Sequence, residues 1–179
     1  MKMNLPNRIT IFRVCMIPFF VAVMLIDSIP YNNYIAFAIF AIASASDALD
    51  GYIARSRNLV TNFGKFMDPI ADKLLVSAAF ILFVELGRVP GYVVIILIAR
   101  EFIISGFRLV ASDNGVVIAA GYTGKIKTVC QMIMCLLVIL HLDFYAFHFA
   151  EIVFIVLSTL FSVISMIEYI VKNKKVLNN

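Results

Sequence analysis

Six apolar stretches, each close to the length that crosses a bilayer, occupy most of this chain. They run from about Leu5 to Ile26, Tyr34 to Arg55, Asp68 to Leu86, Pro90 to Val110, Lys125 to Leu140 and Phe149 to Val171. A helical span needs roughly 20 apolar residues. The whole chain has only 179 residues, 63% of them apolar and 15% charged, with a mean hydropathy of +0.99. A soluble domain is nearer 45–50% apolar and about 25% charged, and a chain this short has too much surface to hide the excess from water. A soluble monomer is excluded. Membrane barrel strands alternate apolar with polar residues, and these stretches do not. The expected fold is therefore all-α: one polytopic membrane domain over residues 1–179 with six transmembrane helices.

Breakers separate the spans at Pro30-Tyr31-Asn32-Asn33, Gly87-Arg88-Val89-Pro90-Gly91 and Gly121-Tyr122-Thr123-Gly124. The opening turn, Asn7 to Arg13, is amphipathic and basic, which predicts a segment lying partly along the interface. A cleaved signal peptide fits poorly, because Asp27-Ser28-Ile29-Pro30 offers no small-residue cleavage site. Basic residues fix the orientation. Lys2, Arg8, Arg13, Arg55, Arg57, Lys65, Lys73, Arg100, Arg108, Lys125, Lys127, Lys172, Lys174 and Lys175 fall on one side of a six-span arrangement, and only Arg88 falls on the other. Positive residues stay inside, so both termini are expected in the cytoplasm. The net charge of +4 thus reads as topology, and nucleic acid is not an expected partner. Cys15, Cys130 and Cys135 lie in apolar runs and read as small core thiols. His141 and His148 fall at the outer ends of spans five and six, and Glu151 and Glu168 near opposite ends of span six, where they are expected to be solvated or paired.

The chemistry concentrates in spans two and three. An acidic residue at mid-bilayer costs about 2.5–3.5 kcal/mol on insertion scales, yet Asp47, Asp50, Asp68 and Asp72 stand together in the cytoplasmic third of these helices. Asp47 and Asp50 share a face with Gly51 and Ala54, and Asp68 and Asp72 share one a turn beyond Gly64. A short connection makes the helices antiparallel, so two carboxylate pairs can face each other. Four unpaired charges would repel. One or two divalent cations relieve that, and an all-oxygen donor set without His or Cys selects Mg²⁺ or Mn²⁺. The plainer alternative is a close-packed helix pair whose aspartates are protonated or paired with Lys73.

The pattern Asp47-x-x-Asp50-Gly51-x-x-Ala54-Arg55, then eight residues, then Gly64-x-x-x-Asp68-x-x-x-Asp72, resembles the signature of the CDP-alcohol phosphatidyltransferase family. It does so at every fixed position and spacing, and the six-span topology is similar too. The resemblance implies a phosphatidyl group passing from CDP-diacylglycerol to an alcohol, with CMP leaving. It implies Asp47, Asp50 and Asp68 around one metal ion, Asp47, Asp68 and Asp72 around a second, and Asp72 as general base. It further implies Gly51, Ala54, Arg55, Thr61 and Gly64 around the CDP moiety, with Asn7, Arg8 and Thr10 closing over it; Arg55 as a cytoplasmic anchor is the competing reading. Members are usually homodimers, and this chain is expected in a bacterial cytoplasmic membrane with its active site facing the cytoplasm.

Basic residues point to an anionic acceptor. Glu101, Ser105 and Arg108 share a face of span four, with Arg100 a quarter-turn away, and Lys125 and Lys127 follow a flexible turn at a helix start, where anions bind. Arginine offers phosphate a bidentate fork. The competing reading pairs Arg100 with Glu101 and leaves the lysines to fix topology. The stretches Ala99–Arg108 and Gly124–Thr128, with Leu5–Thr10, resemble the bacterial branch of the family that uses sn-glycerol 3-phosphate and makes phosphatidylglycerophosphate for anionic phospholipid biosynthesis. Inositol phosphate or serine would be alternative acceptors. A cation transporter with intramembrane aspartates and a purely structural membrane protein are the alternatives from other classes.

Overall fold

A computed structural model describes residues 5–56, 62–113, 118 and 121–174, with side chains described at these positions except 5–6, 47–56, 62–66, 68, 69 and 72. It is all-helical: α1 (Leu5–Leu25), α2 (Asn32–Ser56), α3 (Asn62–Glu85), α4 (Gly91–Asp113), α5 (Tyr122–Leu140) and α6 (Tyr145–Asn173). Several helices begin earlier than the apolar runs predict. α3 starts at Asn62 rather than Asp68, and α6 at Tyr145 rather than Phe149. An apolar run marks where lipid contact starts, whereas backbone hydrogen bonding continues into polar sequence. The same effect corrects the expected flexible turn before Lys125. Lys125 N–H donates to the Gly121 carbonyl, so residues 122–124 are already the first turn of α5.

α1, α5 and α6 contain stretches long and apolar enough to cross a membrane, at Asn7–Leu25, Tyr122–Leu140 and Tyr145–Asn173. Among the described residues of α2, Asn32–Ser46 is a shorter apolar stretch. Charges interrupt α4, at Arg100, Glu101 and Arg108. The chain divides into two compact units, Met1–Glu85 with Ile139–His141, and Leu86–Val138 with Leu142–Asn179.

In the first unit α1 packs along both α2 and α3. Phe20 and Met24 of α1, Ala36, Phe40 and Ala43 of α2, and Ala71, Leu75 and Ala79 of α3 are buried. Phe20 and Phe40 meet with ring centroids 5.7 Å apart. Lipid is as apolar as these side chains, so close packing rather than escape from water holds such helices, and small residues permit it. The N-terminal end of the same α1 face is polar: Asn7, Thr10 and Arg13 are all buried, while Arg8, Phe12 and Phe19 face outward. α1 is one continuous helix whose polar stripe turns inward, the direction favoured where the surroundings are lipid. Cys15 is exposed on that outer side and is not a core thiol; Cys130 and Cys135 are buried. The chain leaves α3 through Gly87, whose φ of 67° is a left-handed conformation that glycine adopts without a Cβ penalty.

In the second unit α4 packs on α6. The buried face of α6 is small and polar, made of Glu151, Ser158, Ser162, Ser165 and Tyr169, while Phe149, Ile152, Leu160, Ile164 and Val171 point outward. Ser158 Oγ donates to the Phe154 carbonyl and Ser165 Oγ to the Ser162 carbonyl, so these hydroxyls are satisfied within their own helix. The loop before α4 holds Arg88, which donates from Nη1 to the Val138 carbonyl at 2.9 Å, in the last turn of α5, where a cation is favourable. Burial pulls the Arg88 pKa below its ordinary value, and the Glu151 carboxylate opposes that. Glu151 is buried rather than solvated, with His148 Nδ1 3.1 Å from its carboxylate.

Candidate active site

Helical geometry carries the aspartate pattern in the first unit. Asp47, Asp50, Gly51, Ala54 and Arg55 lie within α2, and Gly64, Asp68 and Asp72 within α3. Asp47 and Asp50 are thus about one turn apart on one helix, as are Asp68 and Asp72 on the other. The side chains of all eight lie outside the described residues, as does Thr61. Register adds α1 to the same level. Thr10 is as far from the end of α1 as Asp47 is from the start of α2, and the two helices are consecutive and in contact. Buried Asn7, Thr10 and Arg13 therefore occupy the end of α1 that runs alongside the aspartate-bearing half of α2. Arg8, expected with Asn7 and Thr10, is exposed. Arg13, which is not among the expected site residues, is fully buried. Its signal was the spacing of three from Thr10 on a polar stripe.

A cluster of cations forms in the second unit. Lys127, only 2% exposed, makes an ion pair with Glu101 Oε1. Arg100 Nη1 lies 3.6 Å from the same oxygen, and its Nη2 donates to Ser165 Oγ at 3.2 Å. Gly124 faces this guanidinium, and a Cβ there would lie 3.7 Å from Nη2. Arg100 Nε is buried without a hydrogen-bond partner among the described residues. Two nearly buried cations thus converge on one carboxylate oxygen, and the Arg100 Nε donor is left over among the described residues. Arg108 is exposed but anchored: its Nε donates to Tyr169 Oη at 3.3 Å, and its Cζ lies 5.5 Å from the centroid of that ring. Lys125 is exposed and has no described contact with this cluster. Ser105, expected on the charged face, donates instead to the Glu101 carbonyl of its own helix at 2.6 Å.

α6 contributes partners that the sequence did not single out. Besides Ser165 and Tyr169, Glu168 accepts a hydrogen bond from Thr123 Oγ1 in the first turn of α5 and pairs with Lys172 one turn on. The contacts of Ser165, Tyr169 and Glu168 with Arg100, Arg108 and Thr123 join residues 45 to 65 positions apart, so no local spacing reveals them.

A model of the CDP-alcohol phosphatidyltransferase family matches residues 3–167. The chain belongs to this family. The CDP-diacylglycerol–glycerol-3-phosphate 3-phosphatidyltransferase of Bacillus subtilis (strain 168) is 45% identical to it over 184 residues, covering 95% of each chain. The protein of the same description from Haemophilus influenzae is 38% identical over 174 residues, 95% of this chain and 93% of that one. A probable phosphatidylglycerophosphate synthase of Mycobacterium tuberculosis (strain H37Rv) is 34% identical over 171 residues, 94% of this chain and 81% of its own. Family members are generally dependent on a divalent metal.

Proposed function

We propose that this chain transfers the phosphatidyl group of CDP-diacylglycerol to sn-glycerol 3-phosphate, giving phosphatidylglycerophosphate and CMP. The observation that carries the acceptor is the cation cluster of the second unit. Lys127 and Arg100 converge on Glu101, and Arg100 Nε has no hydrogen-bond partner among the described residues. Such a cluster gathers positive charge and leaves a donor for a phosphate. Arg100, Arg108, Lys125 and Lys127 hold the acceptor's phosphate in this reading, Lys125 from the rim.

On the donor side, Asn7, Arg8, Thr10, Gly51, Ala54, Arg55, Thr61 and Gly64 bind the CDP-lipid. The burial of Asn7 and Thr10 at the aspartate level of α1 supports this. Asp47, Asp50, Asp68 and Asp72 bind divalent metal, two ions per site. Two carboxylates a turn apart on each of α2 and α3 form a donor set of oxygen alone, which fits Mg²⁺ or Mn²⁺. When bound, such ions supply charge neutralisation to a pyrophosphate and to the attacking and leaving oxygens of an in-line displacement. Asp72 accepts the proton of the glycerol hydroxyl. That oxygen forms a bond to the phosphorus bearing diacylglycerol, the phosphoanhydride bond breaks, and CMP departs with its electron pair.

The protein works as one six-span domain over residues 1–179 in a bacterial cytoplasmic membrane, as a homodimer, with both termini and the site on the cytoplasmic side. Outward-facing Tyr92, Ile95, Phe102 and Leu109 on α4, and Leu74 and Ile81 on α3, support lipid contact by these two helices. Purified protein in detergent with CDP-diacylglycerol and Mg²⁺ is expected to release CMP when glycerol 3-phosphate is added, and not with inositol phosphate or serine. EDTA abolishes the release. Equal release with serine would remove the acceptor assignment.

A further inference from the structure

Residues 165, 168 and 169 lie on one face of the last turns of α6, and each touches a different part of the cation cluster. Ser165 receives Arg100, Glu168 receives Thr123 and Tyr169 receives Arg108. Thr123 lies one turn before Lys127 on α5, so the Glu168 contact fixes the turn that carries that lysine. Tyr169 is itself immobilised. It is 7% exposed and packed with Ile104 and Phe107, Phe107 meets it edge-on at 5.6 Å, and Asn173 Nδ2 donates to its carbonyl at 2.7 Å. The family match ends at residue 167, so two of these three residues lie beyond the matched segment.

We propose that Ser165, Glu168 and Tyr169 form a positioning wall for the acceptor site, holding Arg100, the start of α5 and Arg108 at the places where an anionic acceptor meets them. This rests on the acceptor reading given above. Arg108 shows why a wall is needed. Its side chain is exposed, and a free arginine there would spread over many rotamers, each contact having to offset that lost freedom. The Tyr169 ring and hydroxyl supply both a cation–π face and an acceptor, so the guanidinium is set in advance of binding, and preorganisation strengthens binding without any new contact to the ligand.

The test is steady-state kinetics of the full-length protein with the two substrates varied separately. Tyr169→Phe keeps the ring and removes the hydroxyl; the KM for glycerol 3-phosphate is expected to rise about tenfold, the scale of one hydrogen bond to a charged group. Tyr169→Leu removes the ring as well and should raise that KM further. Glu168→Gln, which retains an acceptor for Thr123, is expected to fall between wild type and Glu168→Ala. The KM for CDP-diacylglycerol moves less than about twofold, because the hydrogen bonds concerned all lie in the second unit. Equal rises in both KM values, accompanied by a lower melting temperature, would make these residues merely structural and overturn the proposal. An unchanged glycerol 3-phosphate KM in Tyr169→Phe, with a raised one in Arg108→Ala, would overturn the wall and leave the acceptor reading standing. No change in Arg108→Ala either would remove both.

Discussion

Asp72→Asn is expected to lower phosphatidyl transfer by about three orders of magnitude, within the range general bases contribute, while the protein remains folded. Asparagine keeps the size of the side chain and an oxygen able to face a cation, but it cannot accept the glycerol proton at neutral pH. Asp68→Asn gives the comparison. It weakens a shared metal ligand, so part of its loss should be recovered by raising the Mg²⁺ concentration, whereas the Asp72→Asn loss should persist at any Mg²⁺ concentration that saturates the wild type. CMP release at several Mg²⁺ concentrations, together with a melting curve for each variant, separates the two roles. An Asp72→Asn protein with wild-type turnover would remove the base assignment.

Glu101→Ala carries the largest expected effect on stability. Glu101 is the carboxylate between Lys127 and Arg100, whose side chains are 3% and 11% exposed. Removing one partner of a buried ion pair costs about 3–5 kcal/mol, because the remaining charge stays desolvated. Glu101 is itself 24% exposed, which puts the expected loss near the lower figure. Both cations lose this carboxylate, so Lys127→Met added to Glu101→Ala should restore part of the loss, and the coupling can be read from a double-mutant cycle of unfolding midpoints. Additive effects of the two substitutions would show that the pair does not hold the second unit together. Glycerol 3-phosphate should stabilise Glu101→Ala against unfolding more than wild type, since its phosphate then has no carboxylate to displace.

The six helices were legible because each contains a long apolar run, and runs of that length leave few other ways to satisfy the backbone in lipid. Their ends were less so. α3 and α6 extend beyond the apolar runs that marked them, to Asn62 and Tyr145, because backbone hydrogen bonding does not stop where an apolar run does. The aspartates were legible for a different reason: all four fall within 26 consecutive positions, so helical periodicity alone relates the members of each pair. The polar stripe of α1 was visible as Asn7, Thr10 and Arg13, but the side to which it turns was not. An amphipathic helix turns its polar face to water, whereas here that face is buried against α2 and α3. The partners of the cation cluster needed the tertiary structure. Arg100 beside Glu101 could be weighed from the sequence, yet the meeting of Glu101 with Lys127 depends on which helices touch, and the α6 contacts depend on the same thing over still longer separations.

The most direct test follows labelled glycerol 3-phosphate into lipid. Purified protein, CDP-diacylglycerol, Mg²⁺ and glycerol 3-phosphate carrying a radiolabel in its glycerol are incubated together, and label in the organic phase is compared with CMP in the aqueous phase. One labelled phosphatidylglycerophosphate for each CMP, with neither formed in EDTA, is the predicted result. CMP release without label entering the lipid would contradict it, showing that water or another alcohol takes the phosphatidyl group.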